Sequence, residues 1–195
     1  METVLVVGAT GNIGVSAVKA ALNTGRNVIA VTAPQDNTDS GIVGAFDLTP
    51  RITDISTEAF RKIMNVNLEA NFFAYRATTP YLLKQKYRKS TWTLMTGAAG
   101  DSGWAGVTAI SQGALFSLAN IACRELAETN IRSNEVWLAF RVKHDKMAAK
   151  NGSIGSFALA PYYEQILSRP EISANRVRLA KPADISSFTW SKKFV

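Results

Sequence analysis

The 195-residue sequence is poor in the side chains that most often bind metals or form crosslinks. It contains one cysteine, Cys123, and one histidine, His144. A single cysteine excludes a disulfide within the chain. A single histidine leaves almost no material for a histidine metal site or a serine triad. Cys123 lies in an apolar stretch, where a small buried side chain is its expected role. The sequence therefore disfavours metalloenzymes and hydrolases.

Long apolar runs and clustered charges are also scarce. The first apolar stretch begins within a few residues of Met1, which leaves no room for a leader peptide, and no later run is expected to reach membrane-spanning length. The net charge is +7, but the basic residues are dispersed and lack interleaved aromatic side chains. We therefore expect a cytoplasmic protein with neither a nucleic acid nor a membrane as partner.

The feature that is present most clearly is a glycine-rich turn near the start of the chain. A buried-strand pattern from Val4 leads into Gly8, Gly11 and Gly14, and an alanine-rich helical pattern follows. The first glycine allows a tight turn, the second lets a pyrophosphate approach the backbone, and the third lets the helix pack closely on the strand. The free N–H groups of the helix then face the anion. This arrangement predicts a dinucleotide-binding site.

Strand and helix patterns alternate along the first 140 residues. Such alternation predicts an α/β fold of the Rossmann-like, doubly wound type, with a parallel sheet flanked by helices. We expect a single domain over 1–195, with a tail from about 141 that has no readable pattern. The predicted helices span 13–22, 56–84 and 111–128, and the predicted strands span 4–7, 27–31, 42–46, 91–96 and 132–140.

The connection between the second and third predicted strands is unusually short. Residues 33–41 supply nine residues, whereas a parallel crossover normally needs a dozen or more and usually contains a helix. Nine extended residues reach roughly 30 Å at most, barely enough to return along one strand and step across a neighbour. We therefore expect a sheet with fewer strands than a complete fold of this type.

Three further segments resemble the short-chain dehydrogenase/reductase family. Asn65-Val66-Asn67-Leu68 is similar to the start of the family's long interface helix, Thr93 to Gly100 is similar to the strand and loop that carry its catalytic serine, and Glu125 to Val136 is similar to the end of its active-site helix and the next strand. The resemblance implies that Asn67 supports a proton-relay water.

The catalytic positions depart from the family's pattern. The family uses a tyrosine and a lysine four residues later, and the resemblance places these at about Ile110 and Ala114. None of the five tyrosines has a lysine four residues on. The serine position falls on Gly97, with Thr96 as the neighbouring hydroxyl. The candidate catalytic residues are therefore Asn67 and Thr96.

The adenosine side of the site is altered as well. An acid at the end of the second strand would bind the ribose of NAD, but Thr32 and Ala33 stand there, which favours NADP over NAD. Gly44-Ala45-Phe46 replaces the family's asparagine-alanine-glycine. The candidate cofactor-binding residues are Gly8, Thr10, Gly11, Asn12, Ile13, Gly14, Thr32, Ala33 and Ala45.

Three functions remain open at this point. The first is an NADP-dependent oxidoreductase acting on a carbonyl or alcohol with a degenerate active site, and the second is an inactive dinucleotide-binding or interaction protein. The third is a non-redox lyase, isomerase or cyclase whose pocket is lined by Trp104, Trp137 and Phe140. For each we expect a dinucleotide and a small-molecule partner, and a homodimer or tetramer formed through the two long helices.

Overall fold

The computed structural model describes residues 2–31, 46–48, 51–88 and 90–194. Contacts divide the chain into two compact units. One contains residues 2–31, 140–170 and 181–188, and the other contains the remaining described residues. The prediction of one domain over 1–195 stays a prediction.

The first unit is built around the glycine-rich turn. β1 (Thr3–Val7) and β2 (Asn27–Val31) pair in parallel, with Thr3 opposite Asn27, and α1 (Gly14–Asn23) connects them. These elements agree with the predicted strand, helix and strand. β5 (Val142–Lys143) pairs in parallel with β6 (Ile154–Gly155), and α6 (Asp145–Asn151) lies between them. α7 (Ala160–Ser168) packs on α1.

The second unit begins with a long helical stretch. α2 (Thr57–Met64) continues through a π-helical segment (Asn65–Glu69) into α3 (Ala70–Gln85). As its sequence position predicts, Ser56 caps this stretch, because its side chain accepts a hydrogen bond from the Ala59 N–H at 3.1 Å. Pro80 lies inside α3 and does not end it.

A four-stranded sheet forms the centre of the second unit. β3 (Ser90–Gly97), β4 (Ile131–Leu138) and β7 (Asn175–Leu179) run parallel, and β8 (Trp190–Lys192) is antiparallel to β7. α5 (Gly106–Glu125) packs on β3 and β4. The hydrophobic core between them consists of Tyr75, Leu94, Leu115, Leu118, Ala119, Ala122, Leu126 and Ile131.

Several element boundaries differ from the predicted ones. The segment after β3 contains a short helix, α4 (Ala99–Ser102), and α5 begins at Gly106, five residues before the predicted start. Two glycines of this segment have structural roles: a Cβ on Gly100 would lie 2.6 Å from the Phe116 ring, and Gly103 ends α4 with a φ of 70°. β8 begins at Trp190, in the tail for which the sequence has no readable pattern.

α5 is also long and apolar enough to cross a membrane, by length and composition alone. This differs from the expectation that no apolar run reaches such a length. Half of its most apolar window is buried inside the protein, and Leu115, Leu118 and Ala122 belong to the hydrophobic core. Packing against the sheet thus accounts for its composition.

The architecture is α/β, with parallel strands flanked by helices, as the alternating sequence pattern predicts. In the described part of the chain, β1 and β2 form one sheet and β3, β4, β7 and β8 form another. The short connection at 33–41 and nearly all of the predicted strand at 42–46 lie outside the described residues. Phe46, the last residue of that predicted strand, is not in a strand and is 57% exposed.

Candidate functional site

The glycine-rich turn has the geometry that its spacing predicts. Gly8 has a φ of 74°, a left-handed conformation that favours glycine, and its N–H donates to the Val31 carbonyl at 2.9 Å. A Cβ on Gly14 would lie 2.0 Å from the Gly8 oxygen, so a side chain cannot be accommodated there. A Cβ on Gly11 would lie 3.3 Å from the same oxygen. The close packing of α1 on the end of β1 therefore depends on Gly14.

The start of α1 presents hydrogen-bond donors that the described part of the chain does not use. The backbone N–H groups of Asn12, Ile13 and Gly14 donate to no acceptor within the described residues. Ile13, the N-cap of α1, provides no side-chain cap. Unused donors at a helix N-terminus, together with the positive end of the helix dipole, suit a phosphate group. These residues therefore fit the pyrophosphate of a dinucleotide.

His144 holds the glycine-rich turn in place through contacts that no local sequence pattern predicts. Its backbone N–H donates to the Asn12 side-chain oxygen at 2.8 Å, and its ring Nε2 lies 3.1 Å from the Thr10 carbonyl oxygen. A histidine 132 residues away along the chain cannot be linked to the turn by any local pattern. The two candidate residues Thr10 and Asn12 are thus positioned by the segment that follows β4.

Asn67 lies in the π-helical segment and is 1% exposed. Its amide nitrogen donates to the Ser111 hydroxyl oxygen at 2.7 Å, and that hydroxyl donates to the Thr108 carbonyl at 2.8 Å. Ser111 is fully buried. The amide therefore ties the long helical stretch to α5, as a residue that positions the candidate site would.

Two other side chains of α5, those of Thr108 and Gln112, accept hydrogen bonds from backbone N–H groups outside the helix. The Gln112 side-chain oxygen accepts from the Gly97 N–H at 2.7 Å, and Gly97 is the position that the resemblance assigns to the catalytic serine. The Thr108 hydroxyl accepts from the Asp47 N–H at 2.8 Å. Thr108 and Gln112 are four residues apart, so they share one face of the helix. Ile110, by contrast, is 45% exposed.

This geometry favours other positions than those obtained by counting residues. Ile110 and Ala114 are the counted positions of the family's tyrosine and lysine, but the contact to Gly97 comes from Gln112, and Thr108 precedes Gln112 by four residues. An assignment to Thr108 and Gln112 implies a loop between β3 and α5 that is two residues shorter than the counting assumes. Sequence counting could not detect this, because the tyrosine and lysine that would fix the alignment are absent.

Thr96, the second candidate catalytic residue, has a different environment. It is 2% exposed, and its hydroxyl donates to the Glu135 carboxylate at 2.6 Å. The carboxylate of Glu135, itself fully buried, also accepts from Arg176 and Lys193. The hydroxyl of Thr96 therefore belongs to a buried ion cluster, and this geometry does not support its assignment as a proton donor.

The three aromatic side chains considered as a pocket lining do not share one environment. Trp137 is 6% exposed, and its indole N–H donates to Asp101 at 2.8 Å. Trp104 is 62% exposed and contacts the edge of the Phe46 ring. Phe140 belongs to the other unit. Trp137 is thus a core side chain, which weakens the case for an apolar substrate pocket.

Cys123 is buried, as expected, and its thiol donates to the Ser133 carbonyl at 3.5 Å. Burial raises the pKa of this thiol, which disfavours the reactive thiolate form.

Three candidate cofactor-binding residues, Thr32, Ala33 and Ala45, lie outside the described residues.

Comparisons with known proteins identify the family of the chain. The family model described as enoyl-(acyl carrier protein) reductase matches residues 37–141. A short-chain dehydrogenase/reductase, iacG of Pestalotiopsis fici, is 39% identical to the chain, and the alignment covers 98% of this chain and 96% of that protein. The chain belongs to the short-chain dehydrogenase/reductase family. The alignment spans 241 positions, so this relative contains segments that the 195-residue chain lacks.

Solved structures show the same fold at low sequence identity. A 4-hydroxyisoleucine dehydrogenase complexed with NADH has a TM-score of 0.75 and 18% identity, with 92% of this chain and 96% of that chain covered. A Beutenbergia cavernae protein with bound NADP has a TM-score of 0.71 and 13% identity, with 95% and 97% covered. The Rossmann-like fold predicted from the sequence is thereby confirmed.

Proposed function

We propose that this short-chain dehydrogenase/reductase binds a nicotinamide dinucleotide and transfers hydride slowly to or from a carbonyl or alcohol substrate. The observation that carries the proposal is the glycine-rich turn, in which Gly14 contacts the end of β1 and three backbone N–H groups remain available. The bound cofactor would supply the hydride. Asn12, Ile13 and Gly14 would hold its pyrophosphate through their N–H groups.

We propose NADP rather than NAD as the preferred cofactor. The residues that follow β2 in the sequence, Thr32 and Ala33, include no acid that would repel a 2′-phosphate or bind the ribose hydroxyls of NAD. Both dinucleotides occur among the structural neighbours, since one was solved with NADP and another with NADH. The preference therefore rests on the missing acid alone.

Slow chemistry follows from the side chains of α5. We assign Thr108 and Gln112 to the positions of the family's tyrosine and lysine, and neither is a matched acid–base group at neutral pH. Thr108 is 2% exposed as a residue, and its hydroxyl bonds to the backbone of Asp47. Losing general acid–base help lowers a rate by about 10²- to 10⁴-fold.

The second candidate function is dinucleotide binding without turnover. The observation that favours it is the same buried Thr108 hydroxyl, because a proton donor must reach the reacting oxygen. A panel of carbonyl compounds, followed by the loss of NADPH absorbance, separates the two functions. Slow consumption supports the oxidoreductase, and NADPH binding with no consumption supports the binding protein.

A gain-of-function variant tests the assignment of the α5 positions. The double substitution Thr108→Tyr with Gln112→Lys restores a tyrosine and a lysine four residues apart on the face directed at Gly97. We expect it to raise NADPH-dependent carbonyl reduction by about 10²-fold, since acid–base help is restored. The matched control, Ile110→Tyr with Ala114→Lys, should leave the rate unchanged.

The rates of the two double variants are compared only for protein that is folded. Circular dichroism and NADPH affinity show whether each double variant retains its fold and cofactor site. A folded, NADPH-binding Thr108→Tyr, Gln112→Lys variant with no gain in rate would contradict the assignment. A gain in the Ile110→Tyr, Ala114→Lys variant instead would support the counted positions.

We also propose a homodimer or tetramer formed through the long helices. Large apolar side chains on these helices are exposed, among them Phe72 at 43%, Phe73 at 50% and Ile121 at 51%. Burying such side chains between two copies is favourable by about 25 cal/mol per Å² of apolar surface. Light scattering should give at least twice the 21.1 kDa chain mass.

The interface is tested by Phe73→Asp, which we expect to shift the mass toward a monomer because it places a charge in the apolar contact. Phe157→Asp is the matched control, since Phe157 is 47% exposed but lies in the other unit. A monomeric mass for the unaltered protein would contradict the proposal.

A further inference from the structure

The ion cluster around Glu135 holds more positive than negative charge. The Glu135 carboxylate accepts two hydrogen bonds from Arg176, at 2.9 and 3.2 Å, and one from Lys193. The Thr96 hydroxyl, which is neutral, donates to the same carboxylate. Two cations therefore share one anion, and among the described residues the cluster carries one positive charge more than its carboxylate compensates.

The Lys193 end of the cluster is shielded from water. The Glu135 side chain is 0% exposed and that of Lys193 is 4% exposed, whereas that of Arg176 is 26% exposed. A buried charge without a partner destabilises the folded state. Of the three N–H donors on the Lys193 ammonium, one bonds to Glu135, and the other two have no acceptor within the described part of the chain.

A small pocket opens onto these cations. It has a volume of about 270 Å³ and is lined by Asn120, Arg176, Ser191, Lys192 and Lys193. All five side chains are polar, and three are cationic. Sites for drug-sized ligands are mostly larger and mostly apolar. The size and lining suit a small oxyanion instead.

We propose that this pocket is a binding site for a phosphate-sized oxyanion, either free phosphate or the phosphate group of a small metabolite. Lys193 and Arg176 supply the charge, and the amide of Asn120 and the hydroxyl of Ser191 supply neutral donors. Bound phosphate compensates the excess charge of the cluster. The site is separate from the glycine-rich turn, because its residues come from α5, β7 and the segment that contains β8.

Calorimetric titration with inorganic phosphate tests the site on the full chain, with ionic strength held constant by sodium chloride. We expect saturable binding at one site per chain and a higher melting temperature in phosphate. Lys193→Met removes the excess charge but leaves Glu135 paired with Arg176, so the variant should fold and bind phosphate about tenfold more weakly or worse. Lys150→Met, on the exposed surface of α6, is the charge-matched control and should bind like the unaltered protein.

A second variant, Glu135→Gln, should raise the affinity for phosphate. Glu135→Gln keeps the size of the side chain but leaves both cations without a carboxylate, so phosphate should bind more tightly. Gly11→Asp, which places a negative charge in the glycine-rich turn, should leave phosphate binding unchanged. Absence of saturable binding, equal binding by Lys193→Met, or loss of binding in Gly11→Asp would overturn the proposal.

The source of the anion is decided by a parallel titration with glycerol phosphate. Tighter binding than inorganic phosphate assigns the site to a phosphorylated metabolite, and weaker binding assigns it to the free ion. None of these titrations measures dinucleotide affinity, so the phosphate site can be tested whether or not the protein binds a nicotinamide cofactor.

Discussion

Gly14 is the residue on which the geometry of the glycine-rich turn depends most. Because its missing Cβ would lie 2.0 Å from the Gly8 oxygen, Gly14→Ala must push α1 away from β1. Overpacking of this kind costs about 1–3 kcal/mol or more. We expect the free energy of unfolding, measured by urea denaturation, to fall by about 2 kcal/mol or more.

Gly113 provides the matched control for this substitution. It lies inside α5, and a Cβ there would meet nothing within 4 Å. Gly113→Ala should therefore stabilise the protein by about 0.5–1 kcal/mol, because alanine loses less conformational entropy in a helix. If both substitutions changed stability equally, the close contact between Gly14 and Gly8 would be refuted.

At the residue scale, the sequence predicted local contacts well and distant ones poorly. The roles of Gly8 and Gly14 follow from a spacing of a few residues, and the structure shows the geometry that this spacing requires. The contact of His144 with Asn12 spans 132 residues, so it arises from the tertiary fold. The burial of Thr96 against Glu135 is of the same kind, since the two residues lie on neighbouring strands.

Among the elements, α7 is joined to the segment at 182–188 through Tyr162. Its hydroxyl donates to the Ser187 carbonyl at 2.9 Å, and its ring packs against Phe188. Burial, and to a lesser extent the negative charge of Asp184, raises the pKa of Tyr162 to about 12, compared with an ordinary value of 10.0. The buried neutral phenol is thus favoured in the folded state.

This pKa shift makes stability depend on alkaline pH. Between pH 10 and about 12 the unfolded phenol loses its proton while the folded one retains it, so the unfolded state binds fewer protons and the free energy of unfolding falls as the pH rises. Below pH 10 the contribution is fully present. Tyr162→Phe should cost about 1 kcal/mol at pH 7 through the lost hydrogen bond and should flatten the decline above pH 10.

Denaturant unfolding at several pH values measures both effects. Tyr81→Phe is the control, since Tyr81 is 65% exposed. An identical alkaline decline in Tyr162→Phe and the unaltered protein would contradict the shift.

Helices and strands with strong periodic patterns were predicted to within a few residues, as β2 and the stretch from Ser56 show. β7 was missed because its sequence, Asn-Arg-Val-Arg-Leu, carries two arginines. One of them, Arg176, is paired with Glu135 on β4. A charged residue in a central strand is thus stabilised by a partner that single-sequence patterns do not reveal.

At the scale of the whole molecule, the chain retains the cofactor turn and the long helices of the short-chain dehydrogenase/reductase family and lacks its tyrosine–lysine pair. The relative from Pestalotiopsis fici contains segments without a counterpart here. Membership of the family could be predicted from local motifs. The contacts of Thr108 and Gln112 could be seen only in the fold, because the sequence lacks the tyrosine–lysine pair that would fix the alignment.

The measurement that tests the central claim most directly is a fluorescence titration of the protein with NADPH and with NADH. We predict that at least one of them binds below millimolar concentration, with NADPH the tighter. Gly11→Asp should weaken this binding about tenfold or more by placing a negative charge against the pyrophosphate. Gly11→Asn, of equal size but uncharged, should weaken it less. If neither dinucleotide bound below millimolar concentration, the claim that the glycine-rich turn is a cofactor site would be contradicted.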